Sequence, residues 1–141
     1  MTHGVLTTRE ELRRALYDVR PGFVPTMGAL HGGHLSLIAR SASENEQTVV
    51  SIFVNPLQFG DKADLEHYPR NVEHDLAIAK VAGATVFFAP TVDSMYPGGF
   101  DTWVDVGDLA QRWEGASRPG HLRGVSTVVT ILLNLVRPAR A

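Results

Sequence analysis

Two short stretches, Thr48–Val54 and Thr85–Ala89, carry β-branched and apolar residues one after another, broken only by Ser51 and without polar alternation. A strand with one wet face alternates, so such runs ask for cover on both faces. Around them lie segments whose apolar residues recur at helical spacing: Leu12, Ala15, Leu16 and Val19; Leu35, Ile38, Ala39 and Ala42; Val72, Leu76 and Ala79. Doubly covered strands alternating with helices predict an α/β domain with a parallel sheet and flanking helices.

Local signals set the boundaries. Thr8 with Glu11 three residues on is a capping-box pattern, and Pro21-Gly22 ends that first helix. Phe23-Val24 reads as a brief strand ended by Pro25, and Thr26 to His34 as a Gly-rich loop before a helix that ends near Ser43. Asn55-Pro56 closes the strand Thr48–Val54, and a long charged connection runs from Leu57 to Arg70. Asn71 caps the next helix and Gly83 stops it. Thr91 to Gly99 reads as irregular, Thr102–Val106 as a small edge strand, Asp108–Glu114 as a short helix, and Gly115 to Gly124 as a loop. Val125–Arg137 is the most apolar stretch. It falls short of the roughly twenty residues a membrane span needs, so it reads as a buried helix. Pro138 breaks it, and the pattern predicts another strand next.

Composition narrows the function classes. The 141 residues, 44% of them hydrophobic and 20% charged, suit one soluble domain with a true core. The absence of Cys excludes a disulfide scaffold and a thiolate–zinc site. A net charge of −2 gives no support for a nucleic-acid partner. No apolar leader opens the chain, so no membrane partner and a cytoplasmic location are expected.

The strongest chemical signal is His31-Gly32-Gly33-His34, set after a strand and before a helix. Ligands of open α/β sheets bind outside the carboxyl ends of the strands, and a helix N-terminus there favours a phosphate. Gly28, Gly32 and Gly33 allow close backbone approach, and two imidazoles can donate to phosphoryl oxygens as charge develops. The same residues also fit a Gly-rich surface turn, and a His–His metal site lacks an evident third ligand, so the metal set stays unknown. Neither a P-loop nor a G-x-G-x-x-G stretch is present. Asn55 and Gln58, at the end of the next strand, suit hydroxyls or a carboxylate of a small polar substrate, although Asn-Pro is also an ordinary turn. Arg70 and Arg118 could meet an anion or simply face solvent.

Several motifs occur together and in order. They are Pro25-Thr26-Met27-Gly28-Ala29-Leu30-His31-Gly32-Gly33-His34, Ser51-Ile52-Phe53-Val54-Asn55-Pro56-Leu57-Gln58-Phe59, Tyr68-Pro69-Arg70, Met95-Tyr96-Pro97 and Glu114…Arg118-Pro119-Gly120-His121…Gly124-Val125…Thr127-Val128-Val129. The combination resembles the pantothenate synthetase (pantoate–β-alanine ligase) family over nearly the whole chain. The resemblance implies a Rossmann-like nucleotide-binding domain, a parallel sheet with flanking helices, of the HxGH nucleotidyltransferase superfamily. It implies attack of pantoate on the α-phosphate of ATP, with Mg²⁺ assisting, to give pantoyl adenylate, and displacement of AMP by β-alanine to give pantothenate. By position, Met27, Gly28, Ala29, Leu30, His31, Gly32, Gly33 and His34 would line the ATP site, with His34 acting at the phosphate beside His31. Gln58 would bind pantoate and meet β-alanine, Asn55 and Tyr68 would shape that pocket, and Glu114 and Arg118 would support it. Members of the family are commonly homodimers.

Gly32 stands where the family usually has an acidic residue, and Thr130 where it usually has Lys. The chain also stops before the F-G-E-K-D and M-S-S-R-N-like segments, which supply a Lys and an Arg to the triphosphate. The expectation is therefore a single N-terminal nucleotide-binding domain over 1–141, incomplete and without the C-terminal domain, that binds ATP weakly and turns over poorly or not at all. The alternatives are a non-catalytic nucleotide-binding α/β module and another HxGH nucleotidyltransferase; the Asn55…Gln58 and Tyr68-Pro69-Arg70 pair argues against the latter.

Overall fold

Four parallel strands lie in the order β1-β4-β3-β2 in a computed structural model that describes residues 4–108, 112, 118 and 120–141. In chain order the elements are β1 (Val5–Leu6), α1 (Arg9–Ala15), β2 (Gly22–Thr26), α2 (Gly32–Glu44), β3 (Thr48–Ile52), a 3₁₀ turn (Pro56–Gln58), α3 (Lys62–His67), α4 (Val72–Ala82), β4 (Val86–Phe88), α5 (Val92–Met95) and α6 (His121–Val136). The parallel sheet with flanking helices is the one the doubly apolar strands predict. Successive residues of each strand enter opposite cores. Phe23, Val49, Val86 and Phe88 join Leu12, Met95, Val128 and Leu132 under α1, α5 and α6. Val24, Val50, Ile52 and Phe87 join Ile38 and Ala79 under α2 and α4.

After β2, β3 and β4 are laid down in one direction, the chain returns past them. Ala139 and Arg140 meet the far edge of β2: the Ala139 amide donates to Pro21 O and the Phe23 amide to Arg140 O, in a parallel bridge of Gly22 with Arg140. Where the sequence predicts a strand after Pro138, the structure has this single bridge, and β2 is the edge strand of the sheet. The loop after β2 lies at the carboxyl end of the parallel strands, where open α/β sheets bind ligands.

Several boundaries differ from the sequence reading. β2 continues through Pro25 to Thr26 rather than stopping at Pro25. Odd-numbered residues of β2 face the edge away from β3, so the missing Pro25 N–H removes no bond to β3. α1 ends early because Asp18, at φ +57°, turns the chain before Val19. β1, which pairs with Phe87 and Phe88, gave no sequence signal in its two residues. The connection Leu57–Arg70 holds the 3₁₀ turn and α3, and Thr91–Gly99 holds α5, capped by the Thr91 side chain. Thr102–Val106 is not a strand. Its Val104 amide donates to Thr127 Oγ1 and its Val104 carbonyl accepts from Ser126 Oγ, so side chains of α6 take the bonds a neighbouring strand would make. α6 begins at His121, four residues before the apolar run. The short helix expected over Asp108–Glu114 lies largely outside the described residues. Among the described residues, no helix is long and apolar enough to cross a membrane.

Candidate active site

The loop after β2 is built by backbone geometry that few sequences tolerate. Gly28 sits at φ +85° and Ala29 at φ +52°, two left-handed residues in succession. Thr26 Oγ1 accepts from the Gly28 amide, and a single carboxylate holds the next two amides. Asp75 of α4 accepts from Ala29 N through Oδ2 and from Leu30 N through Oδ1, both at 2.9 Å, and is only 2% exposed. A Cβ on Gly28 would come within 3.1 Å of Asp75 Oδ2 and 3.2 Å of Ile52 Cγ2.

His31 then caps α2. Its Nδ1 accepts from the Gly33 amide at 3.0 Å, while His34 Nδ1 accepts from the His31 amide at 3.1 Å. The rings stand 4.1 Å apart, tilted by 42°. An imidazole that accepts at Nδ1 carries its proton on Nε2 when neutral. Both histidines therefore present an Nε2–H beside the N-terminus of α2, where the Gly32 amide has no partner among the described residues and a Cβ would meet only open space. Donors and dipole together are of the kind that suits phosphoryl oxygens.

Burial, and then the charge of His31, hold the His34 imidazole below the usual 6.5, with Asp75 pulling the other way. The unfolded chain therefore takes up the His34 proton before the folded one. This share of stability is complete above about pH 6.5 and is lost as pH falls from there through the folded value. We expect the His34 ring to titrate below 6.5 when followed by NMR, with the His31 amide resonance moving in step as its acceptor is lost. Titration at or above 6.5 would contradict this geometry.

Thr26 of β2 pairs with Ile52 of β3, so the turn after β3 lies beside the histidine loop. Asn55 is 1% exposed and bonded at every polar atom: its Nδ2 donates to Gln58 Oε1 and Gly124 O, both at 3.0 Å, and its Oδ1 accepts from Leu57 N and Tyr96 Oη at 3.2 and 2.6 Å. Burial pushes the Tyr96 phenol well above its ordinary value, so it remains a donor. The Gln58 carbonyl accepts from His121 Nδ1 at 2.9 Å and Arg118 Nη2 at 3.3 Å. Both ends of Gln58 are thereby tethered, and its side-chain Nε2 keeps donor capacity. Tyr68 packs edge-on against Phe59, the residue after Gln58. Arg70 donates to Leu65 O, and Met27 is half-buried at the head of the loop. Glu114 lies outside the described residues.

The structure thus brings His31, His34 and Gly28–Leu30 together with Asn55 and Gln58 on one end of the sheet. Sequence reasoning passed over Asp75, and it left Tyr96, His121 and Gly124 inside quoted motifs without a task. Asp75 had a signal: with Val72, Leu76 and Ala79 it occupies the apolar stripe of α4, where a carboxylate needs a buried partner.

A parallel sheet with flanking helices, and paired imidazoles at a helix N-terminus beyond its edge strand, define a nucleotidyltransferase-like α/β domain. Residues 4–141 match the Pantoate-beta-alanine ligase family. The chain belongs to that family. It is 54% identical to the pantothenate synthetase of Agrobacterium fabrum, over 97% of this chain and 49% of the relative. It is 55% identical to that of Thermus thermophilus, over 96% of this chain and 50% of the relative. A crystal structure of the Thermus thermophilus protein superposes with a TM-score of 0.90 at 54% identity, over 95% of this chain and 49% of that one. The pantoate–β-alanine ligase of Francisella tularensis, crystallised with βγ-ATP and β-alanine, superposes at 0.89 and 38% identity, over 95% of this chain and 53% of that one. The chain spans about half the length of the relatives it matches.

Proposed function

We propose that this chain forms the ATP- and pantoate-binding half of a pantoate–β-alanine ligase, which makes pantothenate through a pantoyl-adenylate intermediate. A pantoate carboxylate oxygen attacks the α-phosphorus of ATP, and the bond to pyrophosphate breaks. The amine of β-alanine then forms the amide, and AMP leaves. The observation that carries this reading is the pair of Nε2–H donors of His31 and His34 at the N-terminus of α2. They are aimed by backbone bonds rather than by long flexible side chains, so little reorganisation is needed as charge develops on the phosphoryl oxygens. Met27 to His34 line the nucleotide, and the Gln58 amide binds the pantoate and stays near the incoming β-alanine. Asn55 fixes Gln58, Tyr68 shapes the wall behind it, and Arg118 steadies its carbonyl. Among the described residues, no group of three or more His, Asp or Glu side chains gathers to hold a metal. Mg²⁺ needs no such cage: it would come with the ATP, held mainly by phosphate oxygens and water.

ATP affinity by titration calorimetry, with pyrophosphate release followed beside it, tests the proposal. The folded chain binds ATP, and His34→Ala weakens it about tenfold or more, the loss of one hydrogen bond to a charged group. A folded chain that ignores millimolar ATP, or a His34→Ala variant that binds equally well, would remove the reading. ATP binding unaffected by pantoate would fit a non-catalytic nucleotide-binding module instead.

A further inference from the structure

We propose that Asp75 is a positioning residue for the nucleotide loop: by holding the amides of Ala29 and Leu30 from the neighbouring helix, it fixes where His31 and His34 stand. The inference rests on the nucleotide-site reading above and adds a residue that neither the motifs nor the histidine geometry identifies. A buried carboxylate on an apolar helix stripe is unfavourable unless its oxygens are satisfied. Here each oxygen takes one loop amide at 2.9 Å. Those two bonds act on the residues that most need holding. Ala29, with a side chain, sits at φ +52°, an unfavourable conformation that persists only where the surroundings impose it. His31 follows immediately, and its ring and amide make the two bonds that set both imidazole tautomers.

The arrangement also explains how a carboxylate is tolerated beside an anion site. Asp75 is 2% exposed, and its oxygens face loop amides instead of solvent. Its charge favours the protonated form of His34, against burial and His31, which both disfavour it. The groups that bear on His34 are thus His31 from its own loop and Asp75 from α4.

Asp75→Asn keeps the shape but turns one oxygen into an NH₂ facing an amide N–H, so one bond becomes a donor–donor clash. Three readouts on the 141-residue chain separate positioning from mere packing. In the unaltered chain, the Ala29 and Leu30 amides exchange with deuterium at least about a hundredfold more slowly than the Gly32 amide, as bonded and unbonded donors do. In Asp75→Asn that protection is lost and His34 titrates at a lower pH than in the parent. ATP affinity falls about tenfold or more while the thermal transition stays cooperative. Equal exchange at the three amides in the parent, or parent-like His34 titration and ATP affinity in a folded Asp75→Asn, would overturn the proposal. If the variant does not fold, the exchange comparison in the parent still decides. If the parent binds no ATP, the nucleotide-site reading fails on its own, while exchange and titration still judge whether Asp75 sets the loop.

Discussion

Gly124→Ala lowers the stability of the chain by about 2–4 kcal/mol, through overpacking against backbone that has no room to retreat. A Cβ at position 124 would lie 2.3 Å from Leu57 O, 2.5 Å from Leu57 C and 2.7 Å from Gln58 N. All three are main-chain atoms of the 3₁₀ turn, so no rotamer change relieves the clash. α6 crosses this turn at Gly124 because only hydrogen fits there, and the close approach lets Gly124 O accept from Asn55 Nδ2. Pushing α6 away breaks that bond and moves the Gln58 carbonyl from His121, which belongs to the same helix. For a domain of this size the melting temperature falls by about 10 °C. Gly60→Ala, where a Cβ meets nothing within 4 Å, stays within about 0.5 kcal/mol of the parent. A Gly124→Ala chain that melts with the parent would mean that α6 does not approach the turn this closely.

The contrast between these glycines marks what the sequence discloses. β3 and β4 were legible because runs so rich in β-branched and apolar residues have few other uses in a chain this short, and their parallel pairing followed from the helices between them. The histidine loop stood out because paired histidines and glycines between a strand and a helix favour a phosphate site over a plain surface turn. Pro25 misled because a proline ends a central strand but not the face of a strand turned toward an open edge. Thr102–Val106 misled because alternation describes a chain with one wet face, and here the partner is the Ser126 and Thr127 side chains of a helix. The supports of the site were the least legible. Asp75 reaches the loop from 45 and 46 residues away, and Tyr96 reaches Asn55 across 41. Local patterns carry no record of such contacts beyond a polar residue standing on an apolar stripe.

Asn55 is where those long-range contacts converge, and its loss has the largest expected effect after that of Gly124. Asn55→Ala removes two donors and an acceptor that hold Gln58 Oε1, Gly124 O, Leu57 N and Tyr96 Oη. The Tyr96 hydroxyl and the Leu57 amide lose their acceptor at a site where Asn55 itself is 1% exposed, while Gly124 O keeps its place in the ladder of α6. Each such orphan costs about 1–3 kcal/mol, so the total loss is about 3 kcal/mol, seen as a lower urea midpoint with an unchanged slope. Asn55→Asp tests the direction of the bonds. It keeps the volume and the acceptor for Tyr96, but sets an oxygen against Gln58 Oε1 and Gly124 O, which only accept, so it destabilises at least as much as alanine. Tyr96→Phe removes a single bond and costs about 1 kcal/mol. In a cycle with Asn55→Ala it is non-additive, because its partner is already gone. Strict additivity would mean that the phenol does not depend on Asn55, and a harmless Asn55→Asp would mean that Gln58 is held by something other than this amide. Under the proposed function, in which the Gln58 amide binds pantoate, pantoate affinity in Asn55→Ala falls along with stability, since that amide then searches several rotamers before it meets the acid.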